Sequence, residues 1–209
     1  GTYDTPAGVS GIGFGTWPSG AIALDGTKVV VGAGFDSVSA PNGGAAFVYD
    51  STGTPMMRLD SPNAEQGGNF GWSVGIDGNR IVVGARNETT PVGNESGAAY
   101  LFNASTGALV ATLLPTDDDD DVVGESKEDF GDAVAIDGGV VAVGSPDDGN
   151  SDLPDGAKAD IGSVTFFDAQ SGAKLFRVRA SDAANFDQFG FDVAMDGGLA
   201  VIGAPGDDV

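Results

Sequence analysis

The chain contains no cysteine and no histidine. The first absence removes disulfides, thiol nucleophiles and zinc–thiolate sites. The second removes the usual general base, the serine–histidine triad and imidazole ligation. Any metal site must therefore be built from oxygen donors. Lack of cysteine does not place the protein in the cytosol, because a repeat protein with a sound core needs no disulfide. Positive charge is scarce too: 9 basic residues stand against 31 acidic ones, a formal net charge of -22. That balance argues against nucleic-acid partners and against an anionic membrane surface. No stretch approaches the roughly 20 apolar residues of a membrane helix, so direct membrane insertion is not expected. No signal peptide is visible, and Gly1 in place of a methionine reads as the start of a processed or partial chain.

What is abundant is glycine, 35 residues of 209, without a three-residue collagen period. Hydrophobic residues make up 41%, enough for a core. The glycines punctuate a repeated sentence. It reads Phe70-Gly71-Trp72-Ser73-Val74-Gly75-Ile76-Asp77-Gly78, then Phe130-Gly131 to Asp137-Gly138, then Phe189-Gly190 to Asp196-Gly197, with a worn first copy at Ser19 to Gly26. A second phrase follows each: Val31-Gly32-Ala33, Val83-Gly84-Ala85, Val143-Gly144-Ser145 and Ile202-Gly203-Ala204. The repeated aspartates are 52, 60 and 59 residues apart.

A period of this size identifies a repeat architecture before any single residue is interpreted. The unit from Phe70 to Asp129 holds four segments of strand chemistry, at Trp72 to Ile76, Arg80 to Ala85, Ala98 to Asn103 and Ala108 to Leu114. Asp77-Gly78 marks a tight hairpin between the first pair, and Ser105-Thr106-Gly107 joins the last pair. The fold class is all-β, a β-propeller of four-stranded antiparallel blades with about three and a half blades present. The units run approximately 1–69, 70–129, 130–188 and 189–209, one propeller segment over 1–209. The count is explained by a fragment of a ring of about six to eight blades; a compact four-bladed ring closed by both termini is the alternative, and a linear stack of β units the rival architecture. Phe70, Phe130 and Phe189 are expected to pack between neighbouring blades, with their glycines allowing close backbone approach.

These phrases, together with Gly97-Ala98-Ala99-Tyr100-Leu101-Phe102 and the fuller Gly203-Ala204-Pro205, resemble the FG-GAP repeat, similar to the β-propeller of integrin α subunits. The resemblance covers about Ser19 to Val209. It implies an extracellular or cell-surface, calcium-associated adhesion or scaffold module that packs against other extracellular or surface proteins, with no particular catalytic activity. One departure matters. The family's Asp-x-Asp-x-Asp-Gly calcium loop between the first two strands is replaced here by the short Asp77-Gly78, Asp137-Gly138 and Asp196-Gly197 turns, so those ligands do not carry over.

Calcium must then sit elsewhere, and the long acidic loop of the third unit is the candidate. Asp148, Asn150 and Asp152 alternate there, and Asp147, Asp155 or Asp160 would complete a shell of oxygens. Its alternative is a solvated acidic loop. Asp60-x-x-Asn63-x-Glu65 and Asp182-x-x-Asn185-x-Asp187 share a spacing in the linkers between units, and the third copy becomes Asp117 to Asp121. Turn capping is preferred over metal binding for these. Three sequons, at Asn87, Asn94 and Asn103, are glycan acceptors if the protein passes through a eukaryotic secretory route. Glycan or protein-ligand binding on the loop face is the alternative function, and Trp17, Trp72, Phe186 and Phe191 are the aromatics to watch. A polysaccharide-acting enzyme comes last, because acids in polar loops gain little pKa tuning from burial.

Overall fold

A computed structural model describes residues 22–115, 128–149 and 160–207. Every regular element in it is a strand. The first sheet is a meander of β1 (Ile22–Asp25), β2 (Lys28–Ala33), β3 (Ala45–Asp50) and β4 (Pro55–Leu59). The second contains β5 (Phe70–Asp77), β6 (Arg80–Ala85), β7 (Ala98–Asn103) and β8 (Leu109–Leu113). The third contains β9 (Val134–Asp137), β10 (Val140–Ser145), β11 (Ser163–Asp168) and β12 (Lys174–Val178). The fourth holds β13 (Asp192–Asp196) and β14 (Leu199–Gly203). All pairings within the sheets are antiparallel between chain neighbours. Among the described residues this is three and a half blades, the expected count.

The strand chemistry explains the order. The second strands of the two inner blades, β6 and β10, are apolar on both faces because each is sandwiched between neighbouring blades, whereas β14 in the last sheet leaves Leu199 and Val201 exposed. Ile81 and Val83 pack towards the first blade, and Val82 packs towards the third. The first interface joins Val30, Val48 and Leu59 to Phe70, Val74, Ile76, Tyr100 and Phe102. The second joins Leu101 and Leu113 to Phe130, Val141 and Phe167. The third sets Ala142, Val164 and Phe166 against Val193, with Met195 and Ile202. Inner strands β1, β5, β9 and β13 neighbour one another in that sequence.

Phe70 and Phe130 fill the gaps assigned to them. Both are fully buried, Phe70 5.7 Å from the Tyr100 ring and Phe130 6.1 Å from that of Phe167, centre to centre. Phe189 packs at the edge of the third interface and is only partly buried. The backbone stitches the same junctions. The Phe70, Phe130 and Phe189 N–H groups donate to carbonyls of Gly43, Ser96 and Ile161, at 2.9, 3.2 and 3.0 Å. Parallel bridges Gly44–Phe70, Gly97–Phe130 and Gly162–Phe189 mark each crossing from one blade to the next.

Glycine is required where these stitches close. A Cβ on Gly84 would run into the Gly131 carbonyl, and one on Gly131, at φ 92°, would meet the Ala98 carbonyl. The Phe-Gly glycine of one blade thus rests on the Gly-Ala glycine of the blade before it. That packing ends β5 differently from expectation. The strand begins at Phe70 rather than Trp72, with a register shift between Phe70 and Val74 that accommodates the turn of backbone around Gly71.

Candidate functional site

An acidic residue stands five positions after each Val-Gly phrase: Asp36, Glu88 and Asp148. The three occupy one structural position. Their N–H groups donate to Ala33, Ala85 and Ser145 carbonyls, at 2.9, 3.2 and 3.2 Å. Their own carbonyls accept from Gly44, Gly97 and Gly162, at 2.9, 3.0 and 3.0 Å. The turn that starts each loop so formed holds the side chain inward, and all three acids are buried. A buried carboxylate needs a partner.

Blades one and three supply arginine. Arg58, paired in register with Phe47, binds Asp36 through two nitrogens at 2.7 and 3.2 Å and also holds Asp60 at 2.7 Å. Arg177, paired with Thr165, lies 3.6 Å from Asp148, and Arg179 lies 3.4 Å from it. Burial works against ionisation of Asp36. The Arg58 hydrogen bond, the Val38 N–H and the guanidinium charge together still hold its pKa below the usual aspartate value.

Blade two breaks the pattern. The residue paired with Tyr100, where Arg58 and Arg177 stand in the sister blades, is Thr112. Glu88 is 0% exposed, receives a hydrogen bond from the Tyr100 hydroxyl, and has no hydrogen-bond partner on Oε1. Burial is the largest cause that pushes its pKa up to about 7, and Glu65 adds repulsion. Contacts from Ser61, Tyr100 and Asn63 oppose the rise. Glu88 differs from the acids expected in polar loops, because its side chain is fully buried and burial tunes it. The side chain is covered, so it touches no substrate in this arrangement.

Of the calcium candidates, Asp147, Asp148 and Asp160 are described; Asn150, Asp152 and Asp155 lie outside the described residues. Asp148 turns inward to the two arginines. Asp147 accepts from Gln188 at 3.1 Å, and its pKa is raised by burial first, then by repulsion from Asp160 and Asp132. Among the described residues no group of three or more acidic side chains converges into a metal-binding cluster. The described candidates therefore do not make a cage by themselves, since the best-buried of them is already neutralised.

The linker motifs tie loops. Glu65 accepts the Thr89 N–H, Asn63 donates to the Thr89 carbonyl at 2.9 Å, and Asp187 accepts the Ala184 N–H at 2.6 Å. Only the Asp187 contact is the local kind that capping anticipates; Glu65 and Asn63 instead reach across to Thr89, a distant loop. The five-aspartate copy, Asp117 to Asp121, lies outside the described residues. Of the sequon asparagines, Asn94 is exposed in a turn. Asn87 donates its side-chain amide to Asn69 at 2.9 Å. Asn103 uses its side-chain oxygen to accept from Ser105 and Thr106, at 2.9 and 3.0 Å. Trp72 is covered by Arg86, whereas Phe186 and Phe191 are exposed; Trp17 lies outside the described residues.

Blades of four-stranded meanders, stitched at Phe-Gly and Gly-Ala, define an all-β propeller-type repeat array. The FG-GAP repeat family matches residues 55–102 and 174–209, so the chain carries FG-GAP repeats over those stretches. No curated protein matches it. Among solved structures, the computationally designed Ika4 protein is 17% identical, with a TM-score of 0.52, over 88% of this chain and 83% of that one. The computationally designed Ika8 protein is 16% identical, with a TM-score of 0.51, over 88% of this chain and 42% of that one. At such identities the likeness is one of fold alone.

Proposed function

We propose that this chain is a non-catalytic extracellular module, a rigid surface or appendage scaffold that packs against other surface proteins. The observation that carries the reading is the FG-GAP array itself, whose conspicuous acids serve the fold. Asp36 and Asp148 are neutralised by arginines, and Glu88 is sealed beneath Tyr100. The usual glycoside hydrolase needs two carboxyl groups facing a shared substrate, and the described loops turn these three inward. Protease shaving of intact producing cells tests the location: the reading expects release of the chain, and retention inside the cell overturns it.

Calcium belongs to the same proposal. Asp147 and Asp160, with Asn150, Asp152 and Asp155 of the intervening loop, are its ligands in this reading, and Asp148 stands apart. A second reading, glycan binding on the loop face, is favoured by one observation, the exposed rings of Phe186 and Phe191. A glycan array separates it from pure scaffolding.

A further inference from the structure

The two outward faces of the array are the two halves of one of its own junctions. At each internal junction, one position on the second strand packs with two positions on the next blade's inner strand. Val30 shares a core with Val74 and Ile76, Val82 with Val134 and Ile136, and Ala142 with Val193 and Met195. Strand register makes Val201 the fourth copy of the first position, and Ile22 and Leu24 the first copies of the other two. All three are open to solvent: Val201 is 72% exposed, Ile22 61% and Leu24 72%. Ala194, paired with Val201, and Leu199 are exposed beside it. The backbone repeats the match. Gly32, Gly84 and Gly144 each abut the carbonyl of the next blade's Phe-Gly glycine, whereas the equivalent Gly203 meets only Asp192 of its own sheet. Asp25 and Asp137 each accept a backbone N–H from the next blade's hairpin turn, Gly78 at 2.7 Å and Gly198 at 3.4 Å. Asp196 holds the same position in the last sheet and is exposed.

We propose that this chain associates head to tail with a second copy of itself, the last sheet of one copy seated on β1 of the other. Val201 of one copy lies over Ile22 and Leu24 of the other, and the Asp196 carboxylate accepts the Gly26 N–H across the joint. Two features select a second copy as the occupant. Both halves of the contact are on this chain, at the positions its own junctions use. The open areas also correspond. Among the described residues the last sheet offers two inner strands, and on the first sheet Val31, Phe47 and Tyr49 are buried, which leaves the inner strand β1 as the open part. Covering Leu199, Val201, Ile22 and Leu24 removes apolar surface from water and supplies the driving force. The net charge of -22 on each copy opposes it, so salt should strengthen the joint. The two surfaces differ, so the contact is heterologous and passes from copy to copy into a ring or a filament.

The inference stands apart from the extracellular reading, and its test reads mass alone. Sedimentation equilibrium follows the whole chain at rising concentration in about 0.5 M sodium chloride, which screens the repulsion. The average mass should climb above that of one copy at roughly 100 µM, as suits a small apolar contact. Val201→Glu and Leu24→Glu alter exposed side chains on opposite faces, and each alone should hold the chain at one copy. Mixing the two variants should restore mass up to two copies and no further, because each retains the face that the other has lost. A parent chain that stays at one copy throughout overturns the joint, as it does where a different protein is what the face takes. Association that survives Leu24→Glu but not Val201→Glu means tail-to-tail pairing and overturns it too. Thermal melts check that both variants fold; should either fail, Val201→Thr and Leu24→Thr repeat the comparison with a milder change.

Discussion

The guanidinium carbon of Arg86 lies 3.9 Å from the centre of the Trp72 ring. The same side chain reaches Asp132, in the next blade, at 2.6 Å, and Asp129 at 3.5 Å. Arg86 is thus a clasp across the second junction, half stacked and half ionic. Asp132 is 3% exposed, so removing its partner strands a buried carboxylate. Arg86→Ala is expected to cost about 2 kcal/mol or more in urea unfolding. Arg86→Lys should recover part of that, since an ammonium keeps the charge but loses the flat stack.

The glycine contact makes a sharper contrast. Gly84→Ala places a methyl against the Gly131 carbonyl, and blade two must shift against blade three. A loss of about 2 kcal/mol or more is expected from equilibrium denaturation. Gly78→Ala, at φ 53° with open space around it, should cost only about 1 kcal/mol through backbone strain. Equal losses at the two positions would mean that the interblade contact carries no special stability.

Truncating a junction ring tests which interface holds the array. Phe130 is buried against Phe167 and the second core cluster. Phe130→Ala should cost about 3–5 kcal/mol, the range for a large aromatic removed from a packed site. Phe189 is only partly buried, and Phe189→Ala should cost less. Thermal melts of the two variants give the ranking directly.

Glu88 and Asp36 have opposite pH signatures. Burial raises the folded pKa of Glu88 from the ordinary glutamate value of 4.5 to about 7. Its contribution is fully present below the unfolded value and is lost as pH rises through the folded one. Stability should fall between about pH 4.5 and 7, by up to about 3 kcal/mol, and Glu88→Gln should flatten that fall. Asp36 has a lowered pKa, so its contribution is present above the unfolded value and is lost as pH drops below it. Asp36→Asn should blunt acid unfolding while leaving the neutral limb intact. Melts across pH 3 to 8, roughly the window of both groups, separate the two.

Calcium is tested by chelation. Excess chelator should lower the melting temperature, and added calcium should restore it. Asp147→Asn with Asp160→Asn should remove the calcium response. An unchanged melt in chelator withdraws the metal.

Much of the fold was legible because each blade repeats the same local instructions. Asp77-Gly78 placed the hairpin between β5 and β6, and the apolar run Ile81 to Val83 marked a strand covered on both sides. The bounds of β6 and β7 match the sequence reading, Arg80–Ala85 and Ala98–Asn103. The start of β5 was misplaced because Phe70 pairs across a register shift that no alternation pattern records. The acid position was less visible. Asp36, Glu88 and Asp148 share an offset from Val-Gly, a signal available in the sequence. The equivalent positions on the outer strands, Arg58, Thr112 and Arg177, become comparable only once strand register aligns them. Asp148 looked like a loop ligand because charge in a hydrophilic run reads as solvated, whereas its backbone turn points it inward.

The Gly84–Gly131 contact has a geometric consequence. With no side chain standing between the two backbones, the step from blade to blade is fixed by main-chain radii rather than by side-chain volume. The same approach recurs at Gly32–Gly71 and Gly144–Gly190, so each junction is set by the same pair of backbones, and loops of differing length and chemistry hang from equivalent points.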